Sequence, residues 1–231
     1  MKNKKITQNS QEFGEFIAQK IVEFAQKTLA ESPKFFIAVS GGTTPVPVFK
    51  TLGSKQIQKV LDWSNVDVFF IDERCVKPES ADNNFQSCYT HWLKQVQEIR
   101  YHRINSSIDP DSAAQEYENE IVKTLPSRNG IPCFDLIFMG IGNDGHVASL
   151  FPDFDFEKED KTLVKHVVVD SDIPERITMT IPLLNNAKNR IIGLVGELKI
   201  KIYSDLLAST NTNYPVSHLL SSNANDLWVL Q

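Results

Sequence analysis

"LIFMGIGNDGHVASLFP" (residues 136–152) sets an apolar run, Leu136–Met139, directly before three glycines and one histidine. A short apolar run bounded by turn residues reads as a buried strand. The glycines Gly140, Gly142 and Gly145 spell G-x-G-x-x-G, a dinucleotide-binding turn when it opens a helix and an acidic residue follows about 20 positions on. Asp170 is the acidic candidate, but the rest of the pattern fails. Asp144 and His146 crowd the turn, where a carboxylate beside a pyrophosphate is unfavourable, and "SLFP" ends any helix after barely one turn. The reading therefore moves from a cofactor turn to a site in which His146 does the chemistry.

Outward from this stretch, short apolar strands alternate with helical segments. Strands are expected at "FFIAV" (35–39), "VDVFFID" (66–72), "FDLIFMG" (134–140), "LVKHVVV" (163–169), "RIIGLVG" (190–196) and "DLWVL" (226–230). Helices are expected at Ser10–Leu29, after Pro45, and at 82–96, 109–125 and 197–208, from apolar spacing and from acidic or proline starts. "RITMTIPLLNNA" (176–187) fits strand or helix, "RNGIP" (128–132) is a turn, and 153–162 is acidic and loop-like. The pattern predicts a single α/β domain over residues 1–231, a mostly parallel, Rossmann-like sheet with helices on both faces and a small excursion around 153–187.

Composition narrows the function. With 231 residues the chain can bury a sizeable core, and a formal net charge of -5 argues against a general nucleic-acid or anionic-membrane surface. A local cationic pocket remains compatible with it. Cys75, Cys88 and Cys133 form no C-x-x-C pair and leave one cysteine over in any pairing, which predicts a reducing, cytoplasmic setting. The basic start "MKNKKITQNSQEF" precedes no apolar stretch of signal-peptide length, and no window approaches the roughly 20 apolar residues of a membrane span.

In open α/β sheets, ligands bind beyond the carboxyl ends of the strands. Three polar clusters are expected there: "SGGTT" after 35–39, "DER" after 66–71 and "GNDGH" after 134–139. The glycines of "SGGTT" free backbone N–H groups to meet an anion, or simply make a tight loop. Asp72, Glu73 and Arg74 form either a ligand-facing charge group or a surface ion-pair cluster. Of five histidines, His91, His102 and His166 fall within or beside regular elements, His218 lies in a loop and stays open, and His146 is the best candidate base. It needs a partner on its other nitrogen, Asp144 or the incoming Asp72. No H-x-x-x-H or Cys/His spacing suggests a metal, and no G-x-S-x-G elbow surrounds Ser149, so water activation is favoured over an acyl-enzyme.

"SGGTTP", "FFIDERCV", "DLIFMGIGNDGHVASLFP", "RITMTIPLLNNA" and "GELK" occur in the order found in the 6-phosphogluconolactonase family, which the chain resembles from about Phe35 to Trp228. The glucosamine-6-phosphate isomerase/deaminases share the glycine loop and "GxGxDGH" but continue Phe-Asn-Glu-Pro where this chain has "SLFP". The resemblance implies hydrolysis of 6-phospho-D-glucono-1,5-lactone to 6-phosphogluconate in the oxidative pentose phosphate pathway, with no metal and no organic cofactor. It implies His146 as general base for water, and Asp72 and Arg74 as the acidic and basic members of the "DER" site. It further implies Gly41, Gly42 and Thr43 as the phosphate loop, with Arg176 and Lys199 as cations near the phosphate. Arg74 would meet either the carbonyl oxygen or the phosphate.

The expected partner is a small phosphorylated sugar lactone, not nucleic acid or membrane, and the protein a monomer or small homo-oligomer. The chain departs from the family pattern at Lys77, Asn83, Val147 and Gln231. Two rival readings are sugar-phosphate deamination, with Asp72 abstracting a carbon-bound proton, and a non-catalytic sugar-phosphate sensor, which would need no base.

Overall fold

In a computed structural model, the structure describes residues 3–156, 161–208, 213–219 and 225–231. The chain opens with β1 (Asn3–Ile6), α1 (Ser10–Leu29), β2 (Phe35–Val39), α2 (Val46–Leu52), α3 (Lys55–Gln58) and β3 (Val66–Phe70). After β4 (Asp72–Arg74), α4 (Asn84–His91), β5 (Arg100–His102) and α5 (Pro110–Thr124), a small hairpin pairs β6 (Ser127–Arg128) with β7 (Ile131–Pro132). There follow β8 (Leu136–Gly140), β9 (Val164–Val168), β10 (Glu175–Met179), α6 (Ile181–Asn185), β11 (Asn189–Leu194), α7 (Glu197–Ala208) and β12 (Asn225–Leu230).

Seven strands form one sheet in the order β1-β12-β11-β8-β2-β3-β5, and every pairing in it is parallel. Side chains alternate between its two covered faces. Phe35, Ile37 and Val39 of β2 join Leu136 and Phe138 of β8 in the core under α1, α2 and α4. Ala38, Ile137 and Met139 point the other way, into the core under α5, α6 and α7. That two-sided burial explains why these strands read as continuous apolar runs instead of alternating ones. Each fully buried Phe, Leu or Ile contributes about 1.5–3 kcal/mol relative to exposure.

The expected single α/β domain with helices on both faces is therefore found, and so are most element positions. Asn9 caps α1, its side chain accepting from Glu12 N–H, and Asp109 caps α5 through Ser112 N–H. Pro47 lies in the first turn of α2 and does not interrupt it, since a first-turn proline has no intrahelical N–H partner to lose. "RITMTIPLLNNA" is both alternatives in succession, β10 and then α6, divided at Thr180.

Two expectations are corrected. "VDVFFID" is not one strand: β3 ends at Phe70, and Asp72–Arg74 leaves the main sheet to pair antiparallel with β10, which also pairs with β9. The excursion around 153–187 is thus a three-stranded sheet with a strand borrowed from far upstream. The N-terminal segment, unassigned in the sequence, contributes the edge strand β1, whose charged, short sequence "NKKI" carries no apolar run. The predicted loop at 153–162 lies partly outside the described residues, at 157–160. Among the described residues, no helix is long and apolar enough to cross a membrane.

The topology locates the site. From β2 the chain builds outward through β3 and β5, whereas β8, β11 and β12 build in the opposite direction. β2 and β8 are neighbours, so the strand order reverses between them. That crevice, beyond their carboxyl ends, is where this architecture binds ligands.

Candidate active site

A cleft of about 390 Å³ opens at that reversal. Its walls include the loop after β2 (Ser40–Thr44), the loop after β8 (Gly140–Asn143 and His146), Asp72 and Arg74 of β4, Arg176 of β10 and Lys199 in the first turn of α7. All three sequence clusters converge, together with both cations that only the resemblance had supplied.

The loop after β8 is built around the histidine. Its ring nitrogen Nδ1 lies 2.7 Å from Asp144 Oδ1, and its backbone N–H donates to the same oxygen at 3.1 Å. The Gly142 N–H donates to the His146 carbonyl, closing the turn. A side chain at Gly142 would put its Cβ 2.1 Å from Nδ1, so the imidazole occupies the space that this glycine leaves. Gly145 has φ +82° and packs on Tyr214. Among the described residues, no helix directly follows the G-x-G-x-x-G, in line with the rejection of a dinucleotide turn.

Asp144, not Asp72, is thus the partner that holds the imidazole. Burial pushes the Asp144 carboxyl up, but the two hydrogen bonds from His146 outweigh it and hold the group below the usual aspartate range. An ionised Asp144 accepts Nδ1–H, which fixes the tautomer with a lone pair on Nε2. Asp144 does not line the cleft itself; it acts through His146. The remaining histidines are engaged elsewhere: His91 with the Ser87 carbonyl, His102 with Asp67 and Glu120, His166 with Glu175 and Asp111, and His218 stacked on Phe156.

β4 separates its side chains by the strand period of two. Asp72 and Arg74 face the cleft, while Glu73 points into the N-terminus of α4. There its carboxylate accepts N–H bonds from Asn84 at 2.6 Å, Phe85 at 2.9 Å and Arg74 at 2.8 Å. Burial raises the Glu73 carboxyl to about 7, against those three bonds and with the neighbouring Asp72 adding to the rise. The folded carboxyl keeps its proton to higher pH than the unfolded one. Its contribution is therefore fullest below about 4.5 and is lost as pH rises through about 7. Glu73→Ala should cost about 3 kcal/mol, because it orphans three backbone donors, and should flatten that part of the stability–pH curve. Urea denaturation across that range measures both effects.

Asp72 is 6% exposed and accepts a hydrogen bond from Ser149 Oγ at 2.8 Å. Burial raises its carboxyl, opposed by Ser149, Arg74, Arg176 and His146. Asn84 donates its Nδ2–H to the Asp72 carbonyl and occupies the space where a side chain on Gly41 would stand, 2.1 Å from the added Cβ. Gly42 has φ +83°, so both glycines of the loop are required by geometry.

Arg74 and Arg176 are directly opposite each other in the β4–β10 register. Like charges in that position repel. Arg176 donates to the Ile173 carbonyl and Ser171 Oγ, and Arg74 to the Asp82 carbonyl, all neutral acceptors. Burial, followed by the charge of Arg74, depresses the Arg176 guanidinium, and burial depresses the Lys199 ammonium. Among the described residues, none of these three cations has a carboxylate ion-pair partner. Such an arrangement calls for an external anion. Among the same residues, no group of three or more His, Cys, Asp or Glu is placed to hold a metal.

Reading the sequence alone missed Ser149, Asn84 and Phe151 as parts of the site. Ser149 and Phe151 alternate about a buried Leu150, a spacing of two that was legible in "SLFP". The departures from the family pattern are also placed. Val147 is fully buried in the core, Asn83 caps α4 by accepting from Gln86 N–H, and Gln231 accepts from Gly196 N–H just before α7. For Lys77, the structure shows its carbonyl accepting from Ser80 N–H, and nothing ties its side chain to the cleft.

Residues 8–228 match the family described as glucosamine-6-phosphate isomerases/6-phosphogluconolactonase. A 6-phosphogluconolactonase of Treponema pallidum is 30% identical over 216 residues, covering 92% of this chain and 89% of its own. The crystal structure of a 6-phosphogluconolactonase from Thermotoga maritima is 26% identical, with a TM-score of 0.83 over 99% of this chain and 98% of that one. A monomeric glucosamine-6-phosphate deaminase, 16% identical with a TM-score of 0.81 over 99% and 97%, shares the fold.

Proposed function

The chain belongs to the family of glucosamine-6-phosphate isomerases and 6-phosphogluconolactonases, and from that premise we propose that it hydrolyses 6-phospho-D-glucono-1,5-lactone to 6-phospho-D-gluconate. It is then a carboxylic ester hydrolase of the oxidative pentose phosphate pathway. One observation carries the reading: a histidine with Nδ1 held by Asp144 shares one cleft with three cations that have no carboxylate ion-pair partner among the described residues. The substrate has an ester carbonyl at one end and a phosphate at the other, and needs both.

In the proposed reaction Arg176, Lys199 and the loop Gly41–Thr43 hold the phosphate. Neutral His146 accepts a proton at Nε2 from a water, whose oxygen attacks C1. The negative field of Asp72 favours the imidazolium so formed. Charge then develops on the carbonyl oxygen. We assign Arg74 to it, because Arg176, Lys199 and the loop already supply the phosphate with donors. Collapse of the tetrahedral intermediate breaks the bond from C1 to the ring oxygen, which takes the proton back from His146. The acid product ionises and releases one proton to solvent.

No metal or organic cofactor takes part in this scheme. The partner is the small sugar-phosphate lactone, and neither nucleic acid nor membrane is required. We place the protein in the cytoplasm as a monomer or small homo-oligomer, which fits three cysteines that are all free thiols.

The deaminase alternative uses Asp72 as its base. Ser149 already donates to the Asp72 carboxylate, while His146 has the fixed tautomer that water activation requires. Proton release from freshly generated lactone, read against its spontaneous hydrolysis, tests the proposal. Clear acceleration by the purified protein without added metal is expected. No acceleration, with turnover of glucosamine 6-phosphate instead, would transfer the site to the other chemistry.

A further inference from the structure

The Asp144 hydrogen bond fixes His146 at one point only. A ring held through Nδ1 alone can still swing about that bond, carrying Nε2 out of line with the substrate. A second contact is present: the Phe151 ring lies parallel to the imidazole, with centroids 4.1 Å apart and planes 16° apart. Phe151 also lines the cleft.

Its own position is fixed by its neighbours. Val147 to Leu150 form a tight turn, with the Leu150 N–H donating to the Val147 carbonyl and Ala148 in the left-handed region at φ +51°. Leu150 is fully buried in the core, and Ser149 is tied by its N–H to Thr178 Oγ1 and by its Oγ to Asp72. The segment is therefore anchored from both sides just before Phe151.

We propose that Phe151 is a positioning residue for the reaction, fixing the plane of the His146 imidazole so that Nε2 stays aimed into the cleft. Asp144 sets the tautomer and Phe151 sets the plane. The aromatic face also suits the imidazolium that forms when His146 takes the proton, since the ring quadrupole attracts a cation. "SLFP", which in the sequence served to end any helix and to tell two families apart, thereby acquires a role: Ser149 holds Asp72 and Phe151 holds His146. The inference rests on the lactonase reading for its kinetic test and on geometry alone for its spectroscopic one.

Phe151→Leu removes the flat face but keeps an apolar side chain. It is expected to lower kcat for lactone hydrolysis about tenfold or more while KM, set by the phosphate contacts, stays within about twofold. Phe151→Tyr should recover most of the rate. A purely structural role predicts instead equal recovery with any bulky apolar residue, and Phe151→Leu turning over at the wild-type rate would overturn the proposal.

Nuclear magnetic resonance of the unmodified protein provides an independent arm if the leucine variant fails to fold. His146 carbon-bound ring protons should show close contacts to the Phe151 ring and the large upfield displacement of protons held over an aromatic face. Unshifted, contact-free ring protons would end the proposal whatever the kinetics. Absence of any lactone hydrolysis by the wild-type protein would sink the lactonase reading but leave the spectroscopic result to stand or fall by itself.

Discussion

His146→Ala is expected to lower kcat for lactone hydrolysis by about a thousandfold, within the usual range for loss of a general acid–base, with KM changed only a few-fold. The expectation follows from the division of the cleft. In the proposed reaction, phosphate binding is assigned to Arg176, Lys199 and the Gly41–Thr43 loop, and proton transfer to His146 in the same cleft. Removing the side chain leaves Gly142 and Asp144 facing empty volume but costs little packing, because His146 is partly exposed. Steady-state kinetics with corrections for spontaneous hydrolysis would measure the split. A loss shared equally between kcat and 1/KM would make His146 a binding or structural residue. Asp144→Asn should reproduce part of the kcat loss, because an amide can donate to Nδ1 and stabilise the wrong tautomer.

The second large effect is expected at the arginine pair. Arg176→Met should raise KM for the lactone and the inhibition constant for inorganic phosphate by about a hundredfold, the scale for losing a charge-assisted contact in a partly buried site. Its effect on kcat should be small. Arg74→Met should do the reverse, lowering kcat with a modest change in KM, if it meets the developing oxyanion. In the absence of ligand, Arg176→Met should also stabilise the fold slightly. The repulsion between Arg176 and Arg74 across the β4–β10 pair disappears, and an apolar side chain fills the buried space. Rising KM together with a rising melting temperature is a combination that a residue recruited for stability would not produce. Parallel KM and kcat losses for both arginines would merge them into a single phosphate clamp and leave the oxyanion to other donors.

Much of this protein was legible in its sequence, for definite reasons. Buried parallel strands must be apolar on both faces, so "FFIAV" and "LIFMG" announced the sheet without ambiguity. The apolar spacing of α1 and the acidic start of α5 announced the helices. The chemistry of the loop after β8 was local, because His146, Asp144 and Gly142 are separated by only two residues each, and short spacing forces contact.

Other features carried no local signal. β1 has too few apolar residues to be seen, and it exists because β12 offers it an edge. The strand assigned to 66–72 breaks at Ile71, because Asp72–Arg74 finds its partner in β10, about a hundred residues on. Arg176 and Lys199 entered the site only through a resemblance, since nothing near either of them in the chain is chemical.

The sequence by itself determined most of the elements, their alternation and the candidate base, with Asp144 and Asp72 as alternatives for the residue that holds it, because each depends on neighbours within a few positions. Tertiary structure alone decided that β2 and β8 lie side by side, that Arg74 faces Arg176, that Ser149 binds Asp72 and that Phe151 covers His146. Periodicity encodes which face of an element is buried, but not which distant element covers it. The cleft depends on that second kind of information, and only the packed sheet supplies it.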